Sequence, residues 1–247
     1  MTSSQPLYRV VGHRGDPHNF PENSIAGAAA AARAGVDGIE VDIQLSADGV
    51  PLVIHDADLK RTGEQTTEVL TTSAASLQQL SVHEPGRYEE QFLPTPLASL
   101  ASLAESLDFF SGRFFLELKE ESLEYFSREQ FVSAVLEASK NLNNRRVMIS
   151  YDLELLVESR RQCDLPVGWV LTHYDANSRS LAETLQPEIV IVNKSKLPHL
   201  PEALWAGNWQ WFVYDVIDPA EAELLAARGV RWIESWQPQG LLAARQG

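Results

Sequence analysis

The stretch HRGDPHNFPENSIAGAAAAARAGVDGIEVDIQLSADGVPLVIHD, residues His13 to Asp56, sets His13, Arg14, Glu40, Asp42 and His55 at positions that its own pattern makes readable. The apolar run Leu7 to Val11 ahead of it reads as a buried strand that delivers His13 and Arg14 to its C-terminal end, where Gly15 frees the backbone. Ser24 follows Pro21-Glu22-Asn23 as a helix N-cap, and the alanine-rich helix behind it ends at Gly35. Gly38 to Leu45 then returns as a strand whose period of two puts Glu40 and Asp42 on one face. Ser46-Ala47-Asp48-Gly49 is a turn, and Pro51 to Ile54 a short return strand that brings His55 opposite the two acids.

Outward from this stretch the same alternation continues. Apolar, strand-like runs fall at Phe114–Leu118, Val147–Ser150, Val167–Leu171, Ile189–Val192, Trp211–Tyr214 and Val230–Glu234, with helical patterns in most of the gaps. With the strands Leu7–Val11 and Gly38–Leu45 they number eight. Continuous apolar strands separated by helices imply a parallel sheet covered by helices, and eight of them suit a closed (β/α)8 TIM-type barrel. The chain of 247 residues fits one such domain, residues 1–247. The polar stretch from Ala57 to Pro96, with one helical pattern at Ala74–Leu80, is a small insertion after the second strand. Pro94-Thr95-Pro96 then opens a helix over Leu97–Phe109.

Hydrophobic residues make up 44% of the chain, but no apolar run approaches the 18 or more residues that span a bilayer. Met1 to Pro6 is short and polar, unlike a secretory signal, and the lone Cys163 excludes an internal disulfide framework. A reducing cytoplasm is the compartment these features suggest, with Cys163 a structural thiol at a helix end. Lys and Arg total 20 against 34 Asp and Glu, a net charge of −14. That charge repels nucleic acid and disfavours stable association with anionic membranes. A small phosphodiester remains a possible partner, because a local cation with Arg14 or Lys119 inverts the field inside a cleft.

The order His13-Arg14-Gly15, Pro21-Glu22-Asn23-Ser24, Glu40-x-Asp42, Asp48-Gly49, His55-Asp56 resembles the opening of the glycerophosphodiester phosphodiesterase family, which reads H-R-G, P-E-N-[TS], E-x-D, D-G and H-D. Leu59-Lys60-Arg61-Thr62-Gly63 looks like the family's L-x-R-T-x-G segment, and Glu117-Leu118-Lys119 like its E-x-K strand. The resemblance thins towards the C-terminus. Where the family often reads W-T-V-N and T-D-x-P, this chain has Trp211-Phe212-Val213-Tyr214 and Ser235-Trp236-Gln237-Pro238, which opens the way to substrates other than a simple glycerophosphodiester.

Ile39, Val41, Ile43, Leu116 and Leu118 alternate with Glu40, Asp42 and Glu117, so the apolar set packs against helices while the acids point inward. Two unit charges ~5 Å apart repel by roughly 3 kcal/mol at an effective dielectric of 20, so the three acids need protons or a cation. Oxygen donors at an open site favour Mg²⁺ or Ca²⁺, and the resemblance implies a metal role for these three positions. It also implies an acid/base pair in His13 and His55, whose ordinary pKa near 6.5 suits both halves of phosphodiester cleavage. Which of the two is the acid stays open. Arg14 offers forked donors to a phosphate oxygen, with an ion pair to Glu22 or Asp16 as the plainer alternative, and Lys119 adds a compact positive charge. Trp211 is a candidate aromatic wall for the alcohol, with barrel packing as its alternative. Lys194 reads as a solvated loop lysine ahead of a phosphate contact. The expected activity is metal-dependent hydrolysis of a glycerophosphodiester to glycerol 3-phosphate and an alcohol. The alternatives are a lysophospholipase D-like or phospholipase C-like phosphodiesterase and a non-catalytic phosphate binder.

Overall fold

The apolar runs form the strands, and their pairing closes a ring. In the computed structural model, which describes residues 6–199 and 202–246, these are β1 (Arg9–Gly12), β2 (Gly38–Leu45), β3 (Pro51–Val53), β4 (Arg113–Leu118), β5 (Arg146–Ser150), β6 (Val167–Val170), β7 (Ile189–Asn193), β8 (Gln210–Tyr214) and β9 (Val230–Ser235). The reading of Met1–Gln5 lies outside the described residues. The order is β1-β9-β8-β7-β6-β5-β4-β2-β3, and β1 pairs again with β2 through Val11–Gly38 and Gly12–Ile39. Eight parallel strands therefore make a closed barrel, while β3 adds antiparallel to β2 beyond its rim.

Each strand shows one face to the barrel interior and one to the helices. Phe115, Ile149, Val170, Ile191, Phe212 and Trp232 pack within the barrel, while Ile39, Val41, Ile43, Leu116 and Leu118 join the layer between strands and helices. The helix Ile25–Ala34 begins where the Ser24 side chain accepts from Gly27 N and ends at Gly35, whose φ of 90° suits glycine.

The insertion after the second strand has its own small core, with Leu52, Leu59, Val69, Leu77 and Leu97 buried together. Two helices there are shorter than the sequence pattern. The expected Ala74–Leu80 is the turn Ala74–Leu77, and Leu97–Phe109 begins at Leu100 and ends at Ser106. Ser99 caps the second through Ser102 N and bridges to Leu52, which holds the preceding residues extended against the barrel.

Trp211 corrects the expectation of a substrate wall. Phe212 and Tyr214 take the inner face of β8, so Trp211 points to the helix side, 5% exposed. There it packs at 5.7 Å from Trp205 and 5.9 Å from Tyr174, and its Nε1 donates to Trp205 O at 3.1 Å. Trp211→Ala is therefore expected to cost about 3–5 kcal/mol of stability, the range for emptying a buried aromatic site. Denaturant unfolding measures the loss, and KM in the folded fraction should stay within about twofold of wild type.

Candidate active site

The C-terminal ends of the barrel strands hold the chemistry, as this architecture requires. At the end of β1, His13 N donates to Ser235 O at 3.1 Å and Arg14 adopts a left-handed φ of 52°. Gly15 follows at φ 94°, and a Cβ there would meet Ala28 N at 2.7 Å, so the turn into the helix Ile25–Ala34 requires glycine. The strained turn aims Arg14 N at Glu40, where it donates to Oε2 at 2.9 Å.

The parallel register sets Asp42 directly beside Glu117. As a result Glu40, Asp42 and Glu117 each present a carboxylate oxygen, all within 4.8 Å of one another. Burial, then the charges of Asp42 and its neighbours, pushes the Glu40 carboxyl well above its ordinary range, and the same causes raise Glu117. Burial also opposes ionisation of Asp42, but Arg14, His55, Lys119 and an amide hydrogen bond from Asn23 hold its carboxyl below the ordinary value. Asn23 Nδ2 donates to Asp42 Oδ2 at 2.8 Å, and Lys119 Nζ donates to Glu117 Oε1 at 3.1 Å. Glu40 Oε1 is buried with no hydrogen-bond partner.

His13 and His55 flank this cluster in different settings. Burial, aided by the Arg14 charge, lowers His13 to about 4, so its ring is neutral at pH 7. His55 Nδ1 lies 2.7 Å from Asp56 Oδ1, while Asp56 Oδ2 accepts from Arg61 Nε at 2.7 Å. The hydrogen bond from His55, with Arg61 added, drives the Asp56 carboxyl far below its ordinary range.

Glu22 is the buried hinge of the cationic side. Its Oε1 accepts from Arg14 Nη1 at 2.9 Å, and both its oxygens accept from Arg61 at 2.7 Å. Arg14 thus makes the ion pair to Glu22 and lines the cavity as well. Burial works against an ionised Glu22, but the Arg61 hydrogen bonds and the Arg14 charge win and lower its pKa. Glu22→Ala should cost about 1.5–3 kcal/mol, because it removes the hydrogen bonds that Arg14 and Arg61 make to a buried carboxylate while leaving each guanidinium its second acid, Asp42 or Asp56. A depressed folded-state pKa contributes stability above the unfolded value of roughly 4.3 and loses it as pH falls through the lower folded value. The wild-type minus variant difference in unfolding free energy should therefore be full at pH 6 and shrink as the pH falls below about 4.

A cavity of about 270 Å³ joins these groups, floored by Ile149, Val170, Ile191 and Phe212. A larger depression of about 760 Å³ opens among Arg9, Phe109, Arg113 and Arg145 at the opposite end of the strands. Its Arg113 and Arg145 side chains are spent on the carbonyls of Asn144 and Phe110, so the smaller cavity is the chemical one. Lys194 lies outside that cavity and pairs with Glu221 at 2.7 Å.

Sequence reasoning brought His13, Arg14, Glu40, Asp42, His55, Glu117 and Lys119 to one place, and the cavity gathers all seven. It missed Glu234, Asp215 and Tyr151, and it weighed Tyr214 and Trp236 only as departures from a pattern. Glu234 is 4% exposed, and burial together with Glu117, Asp215 and Asp42 raises its carboxyl well above the ordinary range. Its signal was an acid two residues after Trp232 in an apolar strand, the same alternation that exposed Glu40.

Three clustered acids that could hold a cation, two histidines and two basic side chains gather at the mouth of a closed (β/α)8 barrel. Residues 13–235 match the sequence model of the Glycerophosphoryl diester phosphodiesterase family, and the chain belongs to that family. A glycerophosphodiester phosphodiesterase of Caldanaerobacter subterraneus subsp. tengcongensis is 27% identical, covering 94% of this chain and 96% of its own. The Bos taurus glycerophosphodiester phosphodiesterase 1 is 28% identical over 70% of this chain and 52% of its own, so the chain spans about half the length of that mammalian relative. The glycerophosphodiester phosphodiesterase of Agrobacterium tumefaciens superposes with a TM-score of 0.77 at 25% identity, covering 96% of this chain and 99% of its own. An Oleispira antarctica phosphodiesterase in complex with the product sn-glycerol-3-phosphate superposes with a TM-score of 0.83 at 21% identity, with 97% of each chain covered. Among the described residues no helix is long and apolar enough to cross a membrane.

Proposed function

We propose that this barrel hydrolyses glycerophosphodiesters to sn-glycerol 3-phosphate and an alcohol, in a reaction that depends on a divalent cation. The observation that carries this reading is the convergence of Glu40, Asp42 and Glu117 beside His13, His55 and Lys119 in one cavity. The acids suit a cation, since Glu40 Oε1 lacks a hydrogen-bond partner among the described residues, and burial followed by mutual repulsion lifts the Glu40 and Glu117 carboxyls. An all-oxygen donor set favours Mg²⁺ or Ca²⁺ over softer metals. When bound by Glu40, Asp42 and Glu117, such an ion would neutralise charge on the phosphate oxygens and acidify the attacking hydroxyl.

The chain's own residues supply the rest. Lys119 and Arg14 place positive charge where a phosphate would enter, Lys119 as a point charge and Arg14 through its planar fork. Neutral His13 accepts the proton of the attacking hydroxyl. His55, held through Nδ1 by ionised Asp56, is the general acid for the departing alkoxide. The product held by the Oleispira phosphodiesterase supports glycerol 3-phosphate as the retained half.

Phe20, Tyr88 and Phe92 favour a lysophospholipid as a second reading, because their rings cluster on the loop that follows Arg14, with the exposed Leu93 next in the chain. Incubating the purified protein with a panel of glycerophosphodiesters and lysophospholipids, and identifying products by mass, tests both. Release of glycerol 3-phosphate from the first group is expected. A protein that releases nothing from either group, with Mg²⁺ or Ca²⁺ present, is not this enzyme.

A further inference from the structure

We propose that Glu234 is the positioning residue of His13, accepting the His13 Nδ1–H at a carboxyl oxygen and turning an unprotonated Nε2 toward the phosphodiester. This rests on the reading of His13 as the proton acceptor. Two buried groups lack partners here, and they face each other. His13 Nδ1 makes no hydrogen bond, Glu234 Oε1 makes none, and Glu234 Oε2 stands 4.0 Å from Nδ1. A buried polar atom left unpaired costs about 1–3 kcal/mol, and a shift of about 1 Å gives His13 Nδ1 a carboxyl partner, with a turn of the carboxyl group bringing the unpartnered Oε1 to the same nitrogen. The opposite ring nitrogen, Nε2, lies 4.0 Å from Glu40 Oε2, on the side of the acid cluster. Fixing Nδ1 from behind therefore presents Nε2 to the reacting atoms, as a carboxylate behind a histidine does in other hydrolases.

Asp215 is the competing candidate, since its Oδ1 lies 3.8 Å from the same nitrogen. Both of its oxygens are already engaged. Oδ1 accepts from Trp236 Nε1 at 3.0 Å and Oδ2 from Asn193 Nδ2 at 2.5 Å, which ties Asp215 to the rim. Glu234 sits deeper, 4% exposed, and its Oε1 is unpartnered. The T-shaped contact of Trp236 with the His13 ring, at 4.8 Å, limits the ring's swing away from it.

Nitrogen-15 NMR of the Mg²⁺-supplemented protein near pH 7 tests the assignment, with the His13 signals identified as those that His13→Gln removes. Wild type should show His13 as the Nδ1–H tautomer. Glu234→Met, or Glu234→Leu should the first not fold, should lose that preference, whereas Asp215→Asn should keep it. With glycerophosphocholine as substrate, the Glu234 variant should lower kcat by about 10- to 100-fold and leave KM within about threefold. An Nε2–H tautomer in wild type, or an unchanged Nδ1–H tautomer in the Glu234 variant, overturns the proposal whatever the activity. If the tautomer shifts and kcat does not, Glu234 still positions the ring, and it is His13's role as proton acceptor that falls.

Discussion

Exhaustive chelation should lower turnover by about 10³-fold or more, and Mg²⁺ or Ca²⁺ added back should restore it. A bound divalent ion supplies several kcal/mol of charge stabilisation to a phosphoryl transition state, and about 4 kcal/mol corresponds to 10³ in rate. The same acids give a signature that needs no substrate. Burial and mutual charge raise the folded-state pKa values of Glu40 and Glu117 above their unfolded values, so these two carboxyls bind more protons in the folded metal-free protein than in the unfolded chain across that window. Their contribution to stability, read as the difference between wild type and the Glu40→Gln and Glu117→Gln variants, should then fall as pH rises from the ordinary carboxylate value of about 4.3 toward neutrality. A cation bound at 100 times its dissociation constant adds about 2.7 kcal/mol and offsets that loss at pH 7. Calorimetric titration of Mg²⁺ and Ca²⁺ should show weaker binding in Glu40→Gln, Asp42→Asn and Glu117→Gln alike. Full activity after chelation, or unchanged binding in Glu117→Gln, removes the shared site.

The acid cluster was legible because it depends on one strand's alternation and one neighbour's register. Glu40 and Asp42 sit two residues apart, and the apolar residues between and around them fix which way both point. Glu117 needed only the next parallel strand of the ring, which the strand count supplied. His55 followed from a tight turn with glycine at φ 75° and a return strand. Glu234 was harder, because its meeting with His13 requires the barrel to close over some 220 residues of chain, as the pairing of β1 with β9 does. Trp211 was misread for a simpler reason. It lies three residues before Tyr214, and an odd spacing along a strand puts two residues on opposite faces, so both could not line the cavity. The insertion was legible but two helix lengths were not, because Ser73 caps a single turn at Ala74–Leu77 and Ser99 delays the following helix to Leu100–Ser106, so capping serines and a local core outweigh the periodic signal.

Such a site opposes stability, because a core that gathers carboxylates gives up apolar packing for chemistry. That conflict separates the histidine variants from the acid variants. His13→Ala and His55→Ala should each reduce kcat by about 10²- to 10⁴-fold, the range for loss of a general acid or base. Neither should weaken binding of the cation by more than a few-fold, since neither ring lies within the three-carboxylate cluster. The two should differ in how they respond to the leaving group. If His55 protonates the departing alkoxide, a diester with an acidic leaving group such as 4-nitrophenol needs no proton there, and His55→Ala should recover most of its activity on it. His13→Ala should stay slow on both substrates, because the attacking hydroxyl loses its proton acceptor in either case. Asp56→Asn should follow His55→Ala in milder form, since Asp56 holds the His55 ring through Nδ1 at 2.7 Å. Steady-state kinetics on the two substrates decide the assignment. Recovery in His13→Ala in place of His55→Ala would reverse the roles, and wild-type turnover in either folded variant would strike that histidine from the mechanism.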